Sequence, residues 1–489
     1  MSDSSLKEKT AKGLFWGGIS NSVYQFLSLV FGLFFARLLT PSDYGVVGML
    51  AIFSALGLII SDTGFGTALI NQKEIRHEDY NAVFWFNLGL SLFCYLILFL
   101  CAPLFASFFH TPELKEVARW QFLGFVFVSF GIAPSALLSK KLMIKEKAIV
   151  NIIAVVISGS IGIFLAFKGF SYWSLVVQSL VWSFLISALF FFFSGWRPSL
   201  SWDFRPLKQM YGFGFKLMLT KVMEAVNAHF FSVILGRLYT KNEVGCYSQA
   251  NKWNDMGSSV IRGMVNSVAQ PVLVEVGDSC EREHRVFRKM VRFTVFVSFP
   301  AMFGLSFIAP EFITIALTDK WIESAQILRI LCLAGAFVPL NNLFVSLILS
   351  KGDSSSFMWS TLALILVLFL AMLLVHSYGI KTMIIVYTAI NILWTGVWFL
   401  IVHRRIMYSF RQFLSDILPY LGITLSLIGM AWFVTKGISN IYIRLIAKIL
   451  TVAMSYFWVM WLSRAATFRD SMRFLIGKIP WLKRIERML

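Results

Sequence analysis

Long apolar runs follow one another from residue 13 to residue 463, broken by only a few polar residues each time, and this constrains the chain more than any other feature. A helix needs about 20 apolar residues to cross the hydrocarbon core of a bilayer. Within lipid, only helices and closed barrels satisfy every backbone amide. The 489 residues are 58% hydrophobic and 14% charged, against about 25% charged in a soluble domain. The runs predict an all-α integral membrane protein of about fourteen transmembrane helices. The first is expected at 13–38, the seventh at 212–236 and the eighth, the most polar, at 245–272. No stretch is left for a soluble domain.

Lys7, Lys9 and Lys12 precede the first run, and no short apolar core with a cleavage site follows them, so this run reads as an uncleaved span. The net charge is +19. A nucleic-acid partner would need a basic soluble face, and the sequence offers none. Basic loops on the cytoplasmic side explain the charge instead: with the N-terminus inside, about 27 Lys and Arg fall in cytoplasmic segments and about 7 in the opposite loops. Both termini are therefore expected in the cytoplasm. The tail at 466–489 alternates Arg and Lys with Phe, Leu, Ile and Trp, which suits an amphipathic helix on an anionic inner leaflet or, alternatively, a frayed basic end. Cys94, Cys101, Cys246, Cys280 and Cys332 show neither disulfide nor metal spacing.

The chain repeats itself. Phe31 to Gly45 aligns without gaps with Phe231 to Gly245, sharing Arg-Leu-x-Thr-x-x-acid-x-Gly. Ala102-Pro103-Leu104-Phe105, with Thr111 and Glu116, recurs as Ala309-Pro310-Glu311-Phe312, with Thr318 and Glu323. The repeats lie six spans apart, so both copies have the same topology, as in parallel-repeat transporters. Arg37 and Arg237 are expected to cap helix C-termini, and Asp43 and Glu243 to sit where the next helix begins.

Several segments resemble the polysaccharide transport flippases of the multidrug/oligosaccharidyl-lipid/polysaccharide exporter superfamily. They are Lys12-Gly13-Leu14-Phe15-Trp16, Ala36-Arg37 through Tyr44-Gly45, Asp62-Thr63-Gly64-Phe65-Gly66, Val83-Phe84-Trp85-Phe86-Asn87 and Trp196-Arg197-Pro198-Ser199. The resemblance implies two pseudo-symmetric six-helix lobes in a V shape plus two C-terminal helices. Counted along the spans, the N-terminal lobe is expected at 1–210 (spans one to six), the C-terminal lobe at 211–412 (spans seven to twelve) and two further spans at 413–465. The resemblance also implies a bacterial inner-membrane protein that exports undecaprenyl-diphosphate-linked sugar repeats for capsule, exopolysaccharide or O-antigen. Other polysaccharide assembly proteins would be its partners.

Charges inside spans are costly and tend to face water or one another. On the eighth span Ser248, Lys252, Asp255, Ser259, Arg262 and Asn266 share one helical face, with Trp253, Met256, Val260, Met264 and Val268 expected to pack on the other side. Arg262, Lys252 and Lys221 are the candidates to hold an anionic diphosphate. Asn266, Gln25 and Asn21 are candidates for sugar hydroxyls. Asp62 occupies the repeat position of Arg262 and is expected to face it. Lys252–Asp255 and Lys221–Glu224 also read as ion pairs that merely neutralise each other. No cofactor, metal set, nucleotide loop or nucleophile–base motif is present in the sequence, so an enzyme is not expected. Asp62, Glu224 and Asp255 are the candidates for a coupled proton or sodium ion. A multidrug exporter, a peptidoglycan-precursor flippase and a membrane glycan polymerase or ligase stand as alternatives. The short outer loops argue against the last.

Overall fold

A computed structural model describes residues 22–72, 75–276, 279–463 and 468–469. Asn21 and, apart from 468–469, the basic tail at 466–489 lie outside the described residues. Among those described there is no β-strand. The helices run α1 (Ser22–Leu38), α2 (Pro41–Met49), α3 (Ala51–Asp62), α4 (Phe65–Asn71), α5 (His77–Leu100), α6 (Ala102–Phe108), α7 (Leu114–Gln121), α8 (Leu123–Lys140), α9 (Ile144–Phe167) and α10 (Trp173–Ser194). They continue with α11 (Leu207–Leu238), α12 (Lys241–Glu275), α13 (Cys280–Leu317), α14 (Ile322–Gly335), α15 (Val338–Ser350), α16 (Ser354–Val375), α17 (Ile380–Ile406), α18 (Phe410–Thr435) and α19 (Ile441–Leu462).

Twelve stretches are long and apolar enough to cross a membrane, and a thirteenth joins α1 to α2 across a 118° bend. The remaining expected span, the eighth, is the 35-residue α12. It has the length to cross but carries the polar face anticipated from its sequence, which keeps it below the apolarity of the others.

The chain divides into two compact units, Met1–Ser248 and Gln249–Leu489. The sequence reading set its first boundary at 210. The difference lies in α11, which packs along α3 and α4 inside the first unit. In that unit α8 and α10 form the centre with α5 and α9 beside them; Leu138, Val150, Ala154, Ile186 and Phe190 make one dry cluster there. In the second unit α13 is the hub, touching α14, α15, α18 and α19.

The duplication has a physical counterpart. Thr40 and Asp43 form a capping box at the start of α2: Asp43 accepts from the Thr40 amide at 2.8 Å and from its hydroxyl at 2.7 Å. Thr240 and Glu243 repeat it at α12, at 3.0 and 2.9 Å. Five residues after each capping threonine comes a glycine. A Cβ on Gly45 would run into the Lys241 carbonyl, and a Cβ on Gly245 into the Pro41 carbonyl. Residue 45 thus meets 241 as 245 meets 41, the reciprocal contact of two copies about a local two-fold.

The second repeated motif is used differently in its two copies. Pro103 opens α6 after α5 has ended at Leu100. Pro310 lies inside the continuous 38-residue α13.

Candidate functional site

The second span is broken in the middle. α3 ends at Asp62, Thr63 and Gly64 both take the left-handed conformation (φ 48° and 75°), and α4 restarts at Phe65. Left-handed backbone is unfavourable for a β-branched residue, and here it is held by hydrogen bonds. The Thr63 amide donates to the Ile59 carbonyl at 3.0 Å, and its hydroxyl contacts the Asn87 amide oxygen at 2.9 Å. Asp62 caps the restarted helix, accepting from the Gly66 amide at 3.2 Å. Gly64 must be glycine for two reasons: its φ is positive, and a Cβ there would strike the Gly214 backbone of α11. Two turns along α11 from that crossing, Lys221 pairs with Asp62 at 3.2 Å, at side-chain exposures of 38% and 25%. Broken helices in transporters commonly mark the place where ions and charged substrate groups are handled.

Lys221 is therefore tied to an acid of another helix rather than to Glu224, which is exposed. Asp62 faces Lys221, and Arg262 pairs with Asp255, two turns back along α12. The expected pairing of Asp62 with its repeat counterpart Arg262 is thus replaced by a separate partner for each. Lys252 is exposed and makes no ion pair among the described residues.

The polar face of α12 stands open: Lys252, Asp255 and Asn266 are exposed, and Ser248, Ser259 and Arg262 half-buried. The packed face differs from the expected one. It falls on Trp253, Ile261, Val265 and Ala269, while Val260 and Met264 are 59% and 52% exposed. At about 100° per residue, Val260 and Met264 do lie on the side of α12 away from the polar stripe, as expected, but that side is left uncovered at those two positions. Gln25 is exposed on α1.

The helix caps are also rearranged. Arg237 caps a helix other than its own: it donates to the carbonyl of Phe108, the last residue of α6, at 2.6 Å, lies over the Phe108 ring and contacts His110. Four residues on, Lys241 reaches Glu113 at 2.8 Å, and this hydrogen bond holds the Glu113 carboxyl below its ordinary range. Asp43 is buried and accepts from the Ser171 hydroxyl. Arg37 is exposed.

Two charge clusters went unnoticed in the sequence. Asp416 of α18, 0% exposed, takes Arg288 at 2.8 Å, Arg292 at 2.6 Å and the Tyr408 hydroxyl at 3.0 Å. Glu311 of α13, 5% exposed, takes Lys448 at 2.8 Å and Arg444 at 3.0 Å from α19. Each joins one of the last two spans to α13 with one acid between two bases. The signal that could have found Glu311 is its place in the Ala-Pro-x-Phe motif, where the first copy carries Leu104.

The sequence matches the family described as "Polysaccharide biosynthesis protein" over residues 34–326. This chain belongs to that family. It is 24% identical to lipopolysaccharide biosynthesis protein WzxC of Escherichia coli K12 over 353 residues, 71% of each chain. It is 23% identical to succinoglycan biosynthesis transport protein ExoT of Rhizobium meliloti over 66% of each. Among solved structures, lipid II flippase MurJ in an inward closed conformation superposes with a TM-score of 0.73, covering 91% of this chain and 98% of MurJ at 14% identity. That likeness shows the fold: an all-α transporter-type membrane protein.

Proposed function

We propose that the chain is a flippase that moves an undecaprenyl-diphosphate-linked oligosaccharide repeat unit across the bacterial inner membrane, by alternating access, with both termini in the cytoplasm. The observation that carries this reading is family membership across residues 34–326, joined to relatives named for polysaccharide assembly and transport. The open polar face of α12 supports it. Arg262 and Lys252 offer cations to a diphosphate where water is scarce and charge-assisted hydrogen bonds are strong. Asn266 supplies an amide on the same face, and Gln25 another on α1. Lys221 is held in reserve by Asp62 and is free to exchange that carboxylate for a phosphate. Asp62 and Asp255, each released when its base turns to substrate, are the places where a proton or sodium ion enters the cycle; Glu224 is a third.

Deleting the gene is expected to leave the lipid-linked glycan on the inner leaflet, and the glycan that accumulates names the substrate. Restoring the gene with Arg262→Ala is expected to leave it there, with Arg262→Lys partly active because the charge is kept and the planar fork lost. Normal glycan display from a deletion strain, with no inner-leaflet intermediate, overturns the proposal.

A further inference from the structure

Inside the second unit, α12, α13 and α15 flank a half-open, mostly apolar slot of about 260 Å³. Met264, Val265 and Ala269 of α12, Phe293 of α13 and Leu343 of α15 line it, with Lys289 also on its wall. For scale, an apolar cavity of about 150 Å³ takes up benzene. The slot therefore has room for a short length of branched hydrocarbon.

The exposed side of α13 continues the pattern. Arg282, Arg285, Lys289 and Phe293 are all exposed and fall at spacings of three, four and four residues, which aligns them on one face. Three cations thus stand at the N-terminal end of the helix, and an exposed aromatic ring beside a dry slot follows one turn deeper. Lys289 already holds a partner that an incoming phosphate must displace, Glu283 is buried and taken by Lys351 at 2.8 Å, and Glu281 is exposed in the first helical turn. Arg285 also donates to the Glu281 carbonyl at 3.4 Å, within its own helix. Met264 and Val265 stand at the same height on α12 as Arg262 and Asn266, on a different side of the helix.

We infer that this slot and its basic rim form the inner-leaflet loading site for the carrier lipid. The isoprene units next to the diphosphate lie against Phe293, Met264 and Leu343, and the diphosphate rests on Lys289 and Arg285. The inference rests on the flippase reading, which places the start of α13 at the cytoplasmic surface. An anionic headgroup on a branched apolar tail matches both parts, since cations at that depth attract phosphate and the wall, apolar but for Thr294 and Lys289, favours hydrocarbon. A neutral lipid satisfies the wall alone. A sugar phosphate without a tail satisfies the rim alone.

The test places a photoreactive amino acid at 293 in the full chain, embedded in nanodiscs, and uses a sugar-free polyprenyl diphosphate as probe. Labelling is expected to be saturable, resistant to competition by neutral polyprenol, and about tenfold weaker in the Lys289→Ala, Arg285→Ala double variant. Both of these side chains are exposed, so the variant is expected to fold. Equal competition by phosphatidylglycerol reduces the slot to an ordinary lipid contact and overturns the inference. So does labelling that the double variant leaves unchanged. Because the probe carries no sugar and no transport is measured, either failure leaves the flippase reading standing. That reading falls separately, on the deletion strain.

Discussion

On α12, Asp255 and Arg262 lie two turns apart on one helix and pair with each other at side-chain exposures of 62% and 29%. Where α13 meets α18, Asp416 is 0% exposed and is gripped by two arginines and a tyrosine brought from elsewhere in the sequence. Both arrangements put charge inside a membrane protein, and they do opposite things. A buried carboxylate held by several donors cannot release one partner without stranding an uncompensated charge. A half-exposed pair on one helix gives up less when it parts than a buried one does, and the proposed cycle asks Arg262 to make that exchange for a phosphate. Burial and multiplicity of partners separate the charges that hold the helices together from those that the proposal offers to a substrate.

The largest effect that would break this contrast is at Asp416. Asp416→Ala leaves Arg288, Arg292 and the Tyr408 hydroxyl facing an empty place, and the expected destabilisation is about 3–5 kcal/mol. It is measured as loss of folded protein in detergent or as a lowered unfolding temperature. A stable Asp416→Ala protein would show that the cluster does not anchor α18. Glu311→Gln comes next. It keeps the shape and removes the charge between Arg444 and Lys448, for an expected loss of about 2–3 kcal/mol. The loss is read in the same assay, and docking of α19 can be followed by protease access to the 436–440 turn.

Arg262→Ala is expected to change stability by less than about 1 kcal/mol, while glycan display at matched protein level is lost. If stability falls as far as in Asp416→Ala, Arg262 belongs with the anchors. The smallest effect is expected at Glu113, which precedes α7 and pairs with Lys241 at the very start of α12. The carboxyl is held below its ordinary value, so the contact stabilises fully above the usual glutamate range and weakens as pH falls through the lowered value. Glu113→Gln should flatten that acid limb of the stability profile, by no more than about 1 kcal/mol.

The spans were legible because a membrane filters for apolar length, and that is a local property of sequence. The polar face of α12 was legible for the same reason: Ser248 to Asn266 repeats at helical spacing. The partners were not. Asp416 takes its arginines from 124 and 128 residues away, and no periodicity carries that information. Val260 and Met264 were assigned to the packed side from spacing alone, which tells where a face is but not which neighbour covers it. The break in the second span was in view as Asp62-Thr63-Gly64-Phe65-Gly66, yet an apolar run hides it, since hydropathy counts side chains and is blind to a left-handed threonine. Arg237 was expected to cap its own helix and instead caps α6.

The crossing of Gly45 on Lys241 and of Gly245 on Pro41 carries a consequence for how such a chain diverges. In an assembly of two identical half-length chains, any change at that glycine would be felt at both crossings simultaneously. Fusion into one polypeptide uncouples them. Asp43 is buried against Ser171 while its twin, Glu243, lies nearer the surface, although both keep the same capping threonine.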